Sequence, residues 1–441
     1  MSPTQLKYPV PTADAAGYIR TKHLYIPMRD GIELCADLFL PFSASKEYRY
    51  ALPRVDVCGI GGSQGRLDPF GLERSVAIGA DAEGQDLYDV TEWAGVQPYY
   101  YGMVGYWAAI QKPPHLACVL SYESQCNMYH AARRGGIYSN NFQSHWYNNI
   151  VELTANRVDY PKTLSTTEYP NEGVWAVFDR VRKLSDIQVP FYLAGNWTDP
   201  ELHLAGNIRA FNGISSRYKW LEITGNHLRA FYEPEDIECK GNSSTTSCSI
   251  KKGNGMLDVP RHRILQHHGK ETLTTTNPAD APRATFITQG YGPESQNINL
   301  SLDSSFTESF ELLGSPYLEL EVSTTAQDLD LFIYLRAIDA NGGIIVLRGN
   351  HGEPMNSFAR GYFCLSHRDE VARNFAAKRI IDQPNIARSE GQSLSLEIGH
   401  MNSPSTIPPM RHEGGDRTAQ RFQGENVLYS QARLVLPRVH R

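Results

Sequence analysis

The sequence predicts an α/β domain followed by an all-β domain, and three observations carry that expectation. Up to about residue 237, strand-like apolar runs alternate with helical periodicities, the pattern of a parallel sheet covered by helices. From about residue 282 onward, short runs and turns dominate, which suits a β sandwich of jelly-roll type. Between them, residues 238–255 are a Ser/Thr/Lys/Gly stretch that reads as a connector. The expected boundaries are therefore 1–237 for the α/β domain, 238–281 for the connector and 282–441 for the all-β domain.

The elements follow in order. Residues 23–41 hold two alternating runs joined by Asp30-Gly31, a hairpin signal. Arg54-Val55-Asp56-Val57 reads as a buried strand, and Gly59-Ile60-Gly61-Gly62-Ser63-Gln64-Gly65 as a loop at its carboxyl end. Asp81, Glu83 and Asp86 place negative charge in the first turns of the next helix, where the helix dipole favours it. Leu87, Val90 and Ala94 give that helix an apolar face, and Pro98 marks its end.

Met103, Tyr106, Trp107 and Ile110 repeat at helical spacing, so a second helix begins near Tyr100, directly after the first. Pro113-Pro114 stops it, and residues 116–120 form a short apolar run of strand type. Residues 123–185, rich in Asn, Tyr and Arg with helical pieces around 174–184, read as an insertion, a helical cap. Two further strands, at 189–195 and 219–225, end in glycine loops with a helix at 201–211 between them. In the C-terminal region strands are expected at 318–322, 331–336, 344–347, 394–398 and 433–436.

The whole chain sets limits. Its 441 residues suffice for two or three domains, and 41% hydrophobic, 20% charged and 10% aromatic residues are ordinary globular composition. A net charge of -6 provides no basic footprint for nucleic acid. No apolar run approaches a membrane span, the N-terminus lacks a basic-then-apolar signal, and seven cysteines are too sparse for a disulfide scaffold. A cytoplasmic location is the expectation, so the glycosylation-type triplets at Asn196, Asn242 and Asn299 read as chance matches.

Two positions suit acyl transfer. Asp199 follows one strand's glycine loop and His227 the next, and catalytic groups of open α/β sheets collect at that edge. An Asp that orients a His, in the chain order acid then base, is triad logic. Each has a plainer reading: Asp199 before Pro200 suits a helix cap, and a lone loop histidine is commonly just solvated. For a nucleophile the one formal G-x-S-x-G is Gly61 to Gly65, centred on Ser63. Residues 66–71 after it are no helix, whereas an elbow needs one immediately. A tight loop is the better account of Ser63. Cys58, Cys118 and Cys126 have no base placed beside them. His262, His267 and His268 lack further ligands at metal spacing.

At these residues the chain resembles the CocE/NonD hydrolases, the group that includes cocaine esterase and X-Pro dipeptidyl-peptidase-like proteins. The segments that carry the resemblance are Met28-Arg29-Asp30-Gly31, Val55-Asp56-Val57 with the 59–65 loop, Gly84-Gln85-Asp86-Leu87-Tyr88-Asp89 with Glu92-Trp93 and Gln97-Pro98, Lys112-Pro113-Pro114-His115-Leu116, Trp197-Thr198-Asp199 and His227. Asp328-Leu329-Asp330 and Tyr429-Ser430 add to it in the C-terminal region. The resemblance implies an α/β-hydrolase domain with a helical cap and a C-terminal jelly roll. It implies cleavage of esters or amides through a Ser–Asp–His triad without a cofactor, with Asp199 as acid and His227 as base. The implied partner is a small-molecule ester or short peptide, for a chain acting alone or as a homo-oligomer.

Two departures accompany it. In the family the helix ending at Gln97-Pro98 is followed by a central strand and the elbow G-x-S-Y-x-G. Here Tyr99, Tyr100, Tyr101 and Gly102 match only its tail, a loss on the order of ten residues for a strand of ~5–6. The strand and oxyanion loop that the family places between Pro41 and Arg54 are absent too, and Tyr48 and Tyr50 in that join lack the flanking motif. Interior losses of this kind suit a transcript or gene model lacking a coding segment, because unpairing a central strand costs more than the ~5–15 kcal/mol that holds a domain together.

Overall fold

In the computed structural model, which describes residues 12–13, 18–41, 52–94, 101–138, 147, 156–196, 203–224, 268–274, 284–289, 298–302, 310–312, 316–319, 322–348, 354–367, 386–388, 393–400, 423–428 and 433–439, the chain divides by packing into two units. The first comprises Met1–Tyr129, Phe142–Gly195 and Gly206–Ile223. The second comprises His130–Asn141, Asn196–Ala205 and Thr224–Arg441.

The first unit opens with β1 (Thr12–Ala13), β2 (Tyr18–Pro27), β3 (Glu33–Pro41) and β4 (Leu52–Val55), an antiparallel sheet in that order. The Asp30-Gly31 turn joins β2 to β3 as expected. One face of this hairpin buries Ile26, Met28, Leu34 and Ala36 against Val90, with Ile32, Val55 and Cys58 packed around them. Val90 belongs to α2 (Ala82–Ala94), which follows α1 (Leu72–Ile78). Asp81 caps α2: its Oδ1 accepts the Gly84 N–H at 3.0 Å.

Helix α3 (Tyr101–Gln111) starts seven residues after α2 ends. The apolar run at 116–120 becomes strand β5 later than expected, at Val119–Tyr122, because the Leu116 N–H turns back onto the Pro113 carbonyl at 3.1 Å. Helices α4 (Met128–Ala132), α5 (Tyr160–Thr166) and α6 (Gly173–Val181) lie in the expected insertion. Strand β5 pairs in parallel with β8 (Phe191–Asn196), and β8 neighbours β9 (Lys219–Thr224), giving a three-stranded sheet β5-β8-β9 with α7 (Ala205–Gly213) between the last two in the chain. Among the described residues, β4 pairs only with β3, and β5 only with β8.

Part of the insertion, residues 130–141, belongs to the second unit, where β6 (Arg133–Arg134) and β7 (Ile137–Tyr138) form a small hairpin. The Gly135 carbonyl at its tip accepts the Cys364 N–H at 2.8 Å. A side chain at Gly135 would collide with the Tyr362 carbonyl, so only glycine lets the two backbones meet.

Most of the described second unit is antiparallel β structure, with a 3-10 turn at Leu365–His367. Its strands are β10 (His268–Thr274), β11 (Ala284–Gln289), β12 (Ile298–Leu302), β13 (Phe310–Leu312), β14 (Tyr317–Glu319), β15 (Val322–Thr324) and β16 (Asp330–Ile338). They continue with β17 (Leu347–Arg348), β18 (Pro354–Met355), β19 (Ala359–Cys364), β20 (Ile386–Arg388), β21 (Ser393–His400), β22 (Gln423–Leu428) and β23 (Arg433–Val439). The main sheets run β10-β23-β13-β20 with β14 on β23, β11-β22-β15, and β12-β21-β16-β19.

Three details differ from the sequence expectation. Strand β10 lies inside the stretch read as a connector, and all seven of its residues pair with β23. The single strand expected at 318–322 is split, because β14 pairs with β23 and β15 with β22 in another sheet. The strand expected at 344–347 is reduced to a bridge at Ile344 and the two residues of β17, since the Asp339 carboxylate gathers the Asn341 and Gly343 N–H groups into a turn at 2.8 Å each. No described helix is long and apolar enough to cross a membrane.

Candidate functional site

Strand β8 ends three residues before Asp199, and its sheet neighbour β9 ends three residues before His227. Asp199 and His227 themselves lie outside the described residues. Asn196, the last residue of β8, is fully buried, so the folded chain does not present it to a glycosylating enzyme. Gln97, Pro98, Tyr99, Tyr100, Tyr48, Tyr50, His262 and His267 also lie outside the described residues, as do residues 238–255.

Ser63 is described, and its hydroxyl holds two strands together. Its Oγ donates to the Asp56 carbonyl at 2.6 Å and accepts the Cys35 N–H at 2.8 Å. The loop around it is a chain of tight turns, with Gly59 N–H on the Gln64 carbonyl at 2.9 Å and Ser63 N–H on the Ile60 carbonyl at 3.0 Å. The next helical turn, Pro69–Gly71, comes six residues later, so no helix begins directly after this serine as an elbow requires. The Cys58 and Cys126 thiols are both pushed up by burial, the opposite of a reactive thiolate.

The carboxyl end of β5 carries a polar cluster that sequence reasoning did not single out. The Tyr106 hydroxyl meets Ser124 Oγ at 2.7 Å, Ser124 Oγ also touches Ser121 Oγ, and Ser121 Oγ donates to the Gly102 carbonyl at 2.8 Å. Asn207 clasps Ser124 from α7, accepting its N–H and donating Nδ2 to its Oγ, both at 3.3 Å. All four side chains are buried, and burial raises the Tyr106 hydroxyl pKa above its usual value. Gly102 packs so closely here that a Cβ would stand 2.6 Å from the Tyr122 carbonyl oxygen. The start of α3 is thus seated on the end of β5, and the hydroxyls are sealed beneath it. Tyr106 had a place on the apolar face of α3, and only its contact with α7's Asn207 through Ser124 reveals the network.

The segments that carry the resemblance are bound to one another by charge. Arg29 grips Asp89 with its backbone N–H at 2.8 Å and its guanidinium at 2.6–3.0 Å, and stacks over Tyr88 at 4.8 Å. Arg74 bridges Asp86 at 2.8 and 3.0 Å to Asp30 at 2.9 Å. His115 Nδ1 lies 2.9 Å from Glu92. Asp328 accepts the Leu329 and Ser366 N–H groups at 2.9 Å and the Cys364 thiol at 3.1 Å. Burial pushes the Asp328 carboxyl up, but these bonds outweigh it and hold it below the usual range.

Burial dominates at Glu83 instead. Its Oε2 is sealed from solvent with no hydrogen-bond partner among the described residues, and its pKa is pushed up to about 8 by burial, against the opposing Arg182, with Asp86, Asp81 and Asp68 adding to the rise. Among the described residues no group of three or more His, Cys, Asp or Glu side chains is placed to hold a metal.

Comparison with known proteins agrees with this architecture. Residues 260–433 match the family of the X-Pro dipeptidyl-peptidase C-terminal non-catalytic domain. Among solved structures, a CocE/NonD family hydrolase from Staphylococcus aureus shares the fold at a TM-score of 0.70 and 19% identity, over 96% of this chain and 94% of that one. An aminopeptidase from a marine sediment Thaumarchaeota archaeon aligns at a TM-score of 0.64 and 11% identity, over 100% and 99% of the two chains. An α-amino acid ester hydrolase aligns at 0.55 and 14%, over 100% of both. No curated protein sequence matches the chain.

Proposed function

For a chain that has the fold of the CocE/NonD hydrolases and carries an X-Pro dipeptidyl-peptidase C-terminal domain, we propose descent from serine hydrolases that cleave acyl esters or N-terminal X-Pro peptide bonds, in a form that no longer turns over substrate. In the ancestral arrangement Asp199 orients His227, and His227 takes the proton of a serine on the turn before α3. The bound molecule is a small ester or short peptide.

One observation supports the inactive reading above others. Only residues 95–100 separate α2 from α3. Six residues are too few for a loop, a central strand of ~5–6 residues and an elbow turn. The interruption of pairing between β4 and β5 among the described residues falls where those strands would stand. The hydroxyls nearest that gap, Ser121 and Ser124, are buried and fully engaged, and Ser63 is held by Asp56 and Cys35.

A serine-directed fluorophosphonate probe tests the proposal. The expected result is no covalent labelling of the native chain. Labelling that disappears in Ser63→Ala would overturn it and assign the nucleophile to the 59–65 loop. Sequencing the transcript across the Pro98–Tyr99 junction supplies a second test: a continuous message with no skipped coding segment removes the case for an internal deletion.

A further inference from the structure

We propose that the groove between α1 and α5 binds a small zwitterion with an apolar body, of the class of a free branched-chain amino acid or a dipeptide. The groove is lined wholly by residues of the first unit, shares none of them with the β5 hydroxyl cluster, and the inference does not rest on hydrolase descent. It is an open groove of about 460 Å3, within the span of ~300–1,000 Å3 usual for small-molecule sites. Arg66 and Glu73 line it together with Asp159 and Lys162, so the two signs of charge are balanced. Leu72 and Val76 supply the apolar part, and Val76 is 48% exposed on the open face of α1.

The walls are fixed before a ligand arrives. Leu67 N–H bonds the Asn156 carbonyl at 2.8 Å, Val158 N–H bonds the Leu67 carbonyl at 2.9 Å, and Asn156 Nδ2 donates to the Gly65 carbonyl at 2.9 Å. These bonds tie the segment carrying Arg66 to the one carrying Asp159 and Lys162. Across the groove, Thr163 Oγ1 donates to Glu73 at 3.5 Å. A preformed site loses little ordering entropy on binding.

Selectivity for a zwitterion follows from the pair already present. Arg66 and Glu73 meet through one contact of 3.2 Å, with side-chain exposures of 51% and 42%. An ion pair this solvated adds little to stability. A carboxylate on Arg66 and an ammonium on Glu73 would replace it with two charge-assisted hydrogen bonds. A ligand bearing a single charge makes only one of these two bonds, so both charges are needed for full affinity.

Titration calorimetry on the full chain tests this with L-leucine and leucyl-leucine as probes, beside N-acetyl-L-leucine and L-leucinamide as single-charge analogues. Leucine or leucyl-leucine is expected to bind, with both analogues weaker by about tenfold or more. Arg66→Ala and Glu73→Ala should each weaken binding by a similar factor at an unchanged thermal unfolding midpoint. Val76→Lys, on the exposed face of α1, provides a second variant that blocks the groove and keeps the fold. Equal binding of zwitterion and analogues, binding indifferent to all three variants, or no binding of either zwitterion overturns the proposal.

Discussion

Arg182 and Asp81 form a two-pronged ion pair sealed inside the α/β unit, at 2.7 and 2.9 Å, with side-chain exposures of 6% and 0%. The pair joins the end of α6 to the cap of α2. The guanidinium also donates to the Phe70 carbonyl at 2.7 Å and lies 3.8 Å from the Trp107 and Phe178 ring centres. Asp81 therefore serves two partners at once, the Gly84 N–H of its own helix and an arginine 101 positions away.

Removing one partner of such a pair leaves the other charged and buried. Arg182→Ala should lower the stability of the α/β unit by about 3–5 kcal/mol, read from the urea midpoint of unfolding. Arg182→Lys should also be costly, because an ammonium cannot make the two-pronged bond and stack on Trp107 together. A midpoint shift below about 1 kcal/mol in Arg182→Ala would contradict the sealed pair.

Glu83 makes stability depend on pH in a direction opposite to an ordinary paired carboxylate. Its folded pKa is about 8 against an unpaired value of 4.5, so between these limits the folded chain holds a proton that the unfolded chain has lost. Stability from this group is full below pH 4.5 and falls as pH rises toward 8, by up to about 1.4 kcal/mol per unit. Glu83→Gln keeps the shape and removes the titration. Its advantage over the native chain should therefore grow from pH 5 to pH 8 in denaturant melts. A difference that stays constant with pH would show that Glu83 is ionised in the folded chain.

The open ladders predict a local pattern of hydrogen exchange. Each of β4 and β5 has one described neighbour, and an edge strand has amides that the sheet does not hold. Native-state exchange should be faster in residues 52–55 than in β3, which is paired on both sides, and residues 50–120 should be weakly protected as a whole. Strong cooperative protection across 50–120 would mean that the sheet is continuous and that nothing central is lost.

Much of the fold was legible because it depends on local rules. The Asp30-Gly31 hairpin, the starts of α2 and α3, and strands β8, β9, β16, β21 and β23 all follow from periodicity and turn residues acting over a few positions. The misplacements are nonlocal. Strand β10 was invisible in a polar stretch because its partner is β23, at the far end of the chain. Residues 133–138 looked like part of a helical insertion, but two glycines let them form a hairpin on the β unit. The motif segments were legible as a resemblance, while their mutual pairing, Arg29 with Asp89 and Arg74 with Asp30 and Asp86, needed coordinates.

For the candidate site the division is sharper. The sequence by itself determined that acid and base candidates, Asp199 and His227, follow two strand runs, and that no room exists for a strand and elbow between Pro98 and Tyr100. Both are matters of order and count along the chain. Only the tertiary structure decided what the remaining hydroxyls do. Ser63 is a clamp between Asp56 and Cys35, and Ser124 is closed in by Tyr106 and by Asn207, 83 positions away. A hydroxyl's chemistry is set by burial and by the groups that take its proton, and those neighbours are assembled by folding from distant parts of the chain.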